Sequence, residues 1–70
     1  MDLKDIQKQM VVYNDRLGLL IVDHVMDDGR VVCNDGNVIV TPQALDKVTK
    51  EILVSRGITQ ADLENKGLFI

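Results

Sequence analysis

The chain reads as one α+β domain over residues 1–70: an N-terminal helical region, a two-stranded β-hairpin, and a C-terminal helix followed by a short final helix. Three observations predict this. Apolar residues recur three and four apart from Leu3 to His24. Two β-rich runs flank Asn34-Asp35-Gly36-Asn37. Two glycine-punctuated segments, each opened by a threonine, come after the second run.

The N-terminal stripe is Leu3, Ile6, Met10, Tyr13, Leu17, Leu20 and His24. Spacings of three and four place these residues on one face of a helix. Asp2 suits the cap, with Asp5 three residues on as a capping-box partner. The pattern predicts helix over about 2–13.

Residues 15–27 admit two readings. Leu17, Leu20, Ile21, His24 and Val25 fit a helical face, and Gly29 stands where a residue just past a helix C-terminus belongs. This favours helix over 15–27, continuous with the first or after a kink at Asn14-Asp15-Arg16. The rival makes 19–26 a strand, since Leu19-Leu20-Ile21-Val22 is β-prone and Gly18 disfavours a helix interior, with a turn at Asp27-Asp28-Gly29.

The hairpin is carried by residues 30–33 and 37–40. Asp35-Gly36 at its tip supplies the positive φ angles that a type I′ turn requires. Thr41-Pro42 then reads as a helix start, because Pro42 lacks the N–H that the first helical position leaves unpaired anyway. Ala44, Leu45, Val48 and Ile52 draw the buried stripe of that helix, and the pairs Asp46–Lys50 and Lys47–Glu51 are four apart. Gly57 ends it, with Ile58 placed for the apolar contact of a glycine cap. Thr59 and Asp62 open a short helix running to about Lys66, which Gly67 stops. The expected core is Leu3, Ile6, Met10, Leu17, Leu20, Ile21, Val31, Ile39, Leu45, Val48 and Ile52.

A 70-residue chain is close to the lower limit for a self-sufficient core. One cysteine gives no internal disulfide, and one histidine with one cysteine does not complete a closed zinc site. With 46% hydrophobic residues, part of the apolar surface is expected to meet another chain. The net charge is −3, and the acidic excess sits in residues 17–40, where Arg30 is set against Asp23, Asp27, Asp28 and Asp35. A nucleic-acid binder ordinarily carries a basic stripe, and one that grips single strands needs aromatic faces; Tyr13 and Phe69 are the only aromatics. The net charge therefore disfavours nucleic acid as a partner. No apolar run approaches the ~18 residues of a membrane span. A free cysteine fits a reducing compartment, so the expected location is cytoplasmic and no membrane partner is expected.

No catalytic, metal or cofactor set emerges. Asp23, His24, Asp27 and Asp28 form the one cluster of metal-ligating types, and they read as a solvated acidic segment with no second cluster to complete a site. Cys33 lies among valines and reads as a buried structural thiol; a nucleophilic role needs a base beside it, for which His24 is the sole histidine. Asp35-Gly36-Asn37 lacks the ligand spacing of a calcium loop. Arg16, Arg30, Lys47, Lys50 and Arg56 form a modest basic face only if the fold gathers them. The C-terminal Leu68-Phe69-Ile70 reads either as a segment that folds back onto the chain's own core, the favoured reading, or as a candidate docking segment for a protein partner.

From Leu19 to Leu63 the order of signals, carried mainly by LLIVDHVMDDGRVVCNDGNVIVTPQALDKVTKEIL, resembles winged-helix modules of the type found at the C-terminus of the selenocysteine-specific elongation factor. The resemblance implies nucleic-acid binding by a helix and its wing. On that alternative, Arg30, Lys47 and Lys50 are the contact residues to test. The helix–hairpin–helix order is also similar to that of small phage head-completion proteins. The leading expectation from the residues themselves is a non-enzymatic protein-interaction or assembly module acting as a homodimer.

Overall fold

The computed structural model of the chain describes residues 1–65. It is a five-stranded antiparallel sheet with two short helices behind it. The strands are β1 (Val11–Asn14), β2 (Gly18–Val25), β3 (Val31–Cys33), β4 (Val38–Val40) and β5 (Asp46–Lys47), and the helices are α1 (Lys50–Ser55) and α2 (Gln60–Asn65). The spatial order is β4-β3-β2-β1-β5. The chain meanders through four strands, crosses back through a 3-10 turn at Pro42–Ala44, and lays β5 beside β1.

This corrects the N-terminal helical region. Only Leu3–Asp5 is helical there, as one 3-10 turn, and Asp2 makes no side-chain cap. Residues 11–14 and 18–25 are strands, so the rival reading of 19–26 is the one realised, with its turn at Asp27-Asp28-Gly29. The reason lies in burial on both faces. Val12, Leu20 and Val22 point into a cluster with Ile6, Val31, Cys33 and Leu45. Their neighbours Tyr13 and Leu19 point the other way, into a second cluster with Leu63, against which Val11, Ile21, Val48, Ile52, Leu53 and Ile58 pack. A strand covered on both sides is apolar at successive positions rather than at alternate ones. Its sequence then lacks the period of two by which strands are recognised, and a helical spacing can be drawn through it.

The hairpin stands where the sequence places it. Val31, Val32 and Cys33 pair with Val40, Ile39 and Val38. The tip takes positive φ at three successive residues, Asn34 (52°), Asp35 (56°) and Gly36 (91°). This corrects the expected type I′ turn: the tip is a four-residue loop, 34–37, because Cys33 and Val38 form the last strand pair, and the hairpin is one strand pair in a larger sheet rather than a free-standing ribbon.

A bulge in β2 sets which residues face inward. Val22 pairs with Cys33, and His24 pairs with the next residue back, Val32, so Asp23 is extra. One inserted residue reverses the inward–outward alternation. Val25 therefore follows Val22 into the inner cluster, while His24 stays exposed.

The helix expected from Pro42 is also corrected. Pro42 opens a single 3-10 turn without a Thr41 side-chain bond, and Leu45 is extended and fully buried. Asp46 and Lys47 lie in β5, which removes the helical geometry their four-apart pairing needs. Helix α1 begins only after Thr49, whose Oγ1 accepts from the Ile52 amide at 3.2 Å. Its end matches expectation: Gly57 has φ 69°, its amide bonds the Val54 carbonyl, and the Ile58 amide bonds the Leu53 carbonyl. The α2 start matches too, with reciprocal bonds between Thr59 and Asp62.

Of the expected core, Ile6, Leu20, Val31 and Leu45 are buried; Met10, Ile21, Val48 and Ile52 are half-buried. Leu3, Leu17 and Ile39 are exposed, at 44%, 53% and 51%. Ile39 sits on the outward side of β4, and Leu17 belongs to the β1–β2 turn rather than to a helical stripe.

Candidate functional site

The two ends of the sheet differ. At one end, β5 is two residues long and both are charged, Asp46 and Lys47, which discourages another strand from adding to it. At the other end lies β4, Val38-Ile39-Val40. No charged residue occurs from Gly36 to Leu45. Among the described residues, no strand pairs with the outer side of β4. Beside it, Leu17 and Ile39, both about half exposed, line a groove of about 360 Å³ together with Asn14, Arg16, Val40 and Thr41.

Asn14 builds one wall of that groove. Its side-chain oxygen accepts from the Arg16 and Leu17 amides at 2.9 Å each, which shapes the β1–β2 turn and presents Leu17. Its side-chain nitrogen donates to the Ala44 carbonyl at 2.9 Å, which ties the turn to the 3-10 segment after β4. Behind the turn, Arg56 reaches Asp15 at 2.9 Å and lies over the Tyr13 ring at 5.7 Å, linking α1 to the sheet.

A second recess, of about 650 Å³, opens at the β5 end. Lys4, Lys8 and Lys47 line it, with Asp5, Gln7 and Gln9. Its position is set by the N-terminal arm: the Met1 backbone nitrogen donates to the Pro42 and Leu45 carbonyls at 2.9 and 2.7 Å, and the Gln9 amide bonds the Val22 carbonyl. The arm thus runs past β5 and carries its lysines to Lys47. The even charge balance of residues 1–16 hides these lysines from a segment-by-segment count; only the path of the arm brings Lys4 and Lys8 to a residue so distant in the chain.

The residues named for nucleic-acid contact do not form one site. Arg30 stands before β3, with β2 and β1 between that strand and β5, which holds Lys47. Arg30 is also engaged by Asp28: its Nε donates to the carboxylate at 2.8 Å, and its backbone N–H donates at 3.1 Å. That amide bond, opposed by some desolvation and reinforced by the guanidinium, holds the Asp28 carboxyl below its ordinary range. Lys50 is exposed in the first turn of α1 and does not line the lysine recess. Leu68, Phe69 and Ile70 lie outside the described residues.

His24 and Cys33 face opposite ways. His24 is exposed and its Nδ1 lies 3.1 Å from the Asp23 carboxylate, while Cys33 is fully buried in the inner cluster. Burial pushes the Cys33 thiol up from its ordinary 9.0, the opposite of an activated nucleophile. Asp23 and Asp35 line a 240 Å³ hollow beside the bulge, but among the described residues no three His, Cys, Asp or Glu side chains gather where they can hold a metal ion. Among the described residues, no helix is long and apolar enough to cross a membrane.

No family model, no curated protein and no solved structure matches the chain.

Proposed function

We propose that this protein is a non-enzymatic assembly module whose partner is a second copy of itself, joined through the edge of β4. The observation that carries this reading is the β4 edge, uncharged and, among the described residues, unpaired, with half-exposed Ile39 and Leu17 beside it. Natural proteins usually guard such an edge with lysine, proline or a covering element. The short length of β4 is its only guard among the described residues.

The segment suits itself. Asn37-Val38-Ile39-Val40-Thr41 reads nearly the same in both directions. An antiparallel pair related by a two-fold axis sets Ile39 against Ile39 and Val38 against Val40, with polar residues at both ends. Molecules of net charge −3 repel one another, and a stretch without charge is where that repulsion opposes contact least. Each partner's Ile39 would add to the apolar lining of the Leu17 groove. A three-residue strand pair gives a modest interface, so the expected dimer is in the micromolar range and concentration-dependent.

Sedimentation velocity over a wide concentration range tests this. The expected result is a reversible monomer–dimer equilibrium that Ile39→Lys abolishes while the circular dichroism spectrum stays unchanged. A chain that remains monomeric into the high micromolar range overturns the reading, as does a dimer that Ile39→Lys leaves intact.

A further inference from the structure

We infer that the recess lined by Lys4, Lys8 and Lys47 is a binding site for a compact, multiply charged phosphate group. The inference is independent of the β4 edge, which lies at the opposite end of the sheet.

Three observations support it. The chain is acidic overall, yet three of its five lysines line one recess, and among the described residues Asp5 is the one carboxylate that joins them there. Elsewhere on the described surface, Arg30 and Arg56 are neutralised by Asp28 and Asp15. Among the described residues, no carboxylate forms an ion pair with Lys4, Lys8 or Lys47. Among the described residues the recess is therefore the place where positive charge is both concentrated and uncommitted, and a concave site focuses such a field. Finally, Gln7 and Gln9 add amide groups to the rim, and amide N–H donors suit the several acceptor oxygens of a phosphate.

The shape and composition point to a small ligand. A volume of about 650 Å³ falls in the ordinary range for small-molecule sites. Among the described residues no aromatic side chain lines the recess, so a nucleobase finds no stacking surface from them there. An extended nucleic acid needs a stripe of cations; beyond this recess Arg30 and Arg56 are paired, and neither Arg16 nor Lys50 lines it. The recognised chemistry is the polyphosphate itself, free or as part of a nucleotide. One carboxylate on the rim also sets a sign: removing Asp5 strengthens binding of an anion, whereas removing a merely structural group does not.

The test is an amide-resolved NMR titration of the full chain with inorganic tripolyphosphate at low salt, repeated with adenosine triphosphate and with a dodecamer oligonucleotide. Saturable shifts are expected at Lys4, Gln7, Lys8, Gln9 and Lys47. Lys8→Glu and Lys47→Glu should each weaken binding by about tenfold or more, Lys50→Glu by less than about twofold, and Asp5→Asn should strengthen it severalfold. Adenosine triphosphate should bind about as well as tripolyphosphate. Three results overturn the assignment: no saturable shift at millimolar tripolyphosphate, equal weakening by Lys50→Glu, or an oligonucleotide that binds far more tightly than tripolyphosphate. Asp5 and Lys8 are exposed on the arm, so their variants are expected to fold.

Discussion

The side chain of Asn14 donates to the carbonyl of Ala44 at 2.9 Å, across 30 residues of chain, while its oxygen holds the amides of Arg16 and Leu17. One buried amide, 7% exposed, thus joins the end of β1, the β1–β2 turn and the crossover after β4. Replacing it by Leu keeps the bulk and strands three backbone groups. The expected loss is about 1–2 kcal/mol by urea denaturation, because three part-buried backbone groups lose their partner at once. A loss well under 1 kcal/mol would show that the turn holds without this residue.

Gln9 carries φ 68° without being glycine, at the point where the N-terminal arm joins β2 through the Val22 carbonyl. Left-handed backbone is strained for a side-chain-bearing residue and free for glycine. Gln9→Gly is expected to raise stability by about 0.5–1 kcal/mol, after the entropy that glycine adds to the unfolded chain. Gln9→Val, β-branched, should lower it by at least about 1 kcal/mol. Thermal melts of the pair give opposite signs if the backbone strain is real.

Leu63 is 2% exposed between Tyr13 and Leu19, whereas Val54 on α1 is 80% exposed. Helix α2 is therefore expected to be held on the sheet mainly through Leu63, and α1 through Ile52 and Leu53 rather than Val54. Leu63→Ala should cost about 2–4 kcal/mol and Val54→Ala no more than about 0.5 kcal/mol. Equal effects would argue that α2 does not dock on the sheet in solution.

Burial raises the Cys33 thiol above its ordinary 9.0. The folded protein then holds this proton more tightly than the unfolded chain does. The associated stability is complete below the unfolded value and is lost as pH rises through it toward the folded one. Relative to Cys33→Ala, the wild type should lose stability as pH rises above about 8.5, and the difference should be flat from about pH 6 to 8. Thiol reagents at neutral pH should label Cys33 only at the rate of unfolding. Rapid labelling in the folded state would contradict its burial.

What was legible in the sequence was local punctuation. The Asp35-Gly36 tip, the Gly57 helix end and the Thr59–Asp62 capping pair each work through bonds within a few residues, so the residues themselves specify the geometry. The lysine recess was not legible, because Lys47 meets Lys4 and Lys8 only through the path of the arm. Neither was the exposure of Leu17 and Ile39, which depends on where the sheet ends.

By itself, then, the sequence determined that this is a small aliphatic domain with a hairpin at residues 31–40, a helix end at Gly57 and a capped helical turn opened by Thr59 and Asp62. Tertiary structure alone decided that residues 11–14 and 18–25 are strands. Their apolar residues are continuous, so local preference does not separate helix from strand; pairing of β2 with both β1 and β3, and burial of both faces, does. The same pairing placed the Asp23 bulge, and with it the choice of Val25 over His24 for the core. Such contacts join residues far apart in the chain, and no window of sequence contains both partners.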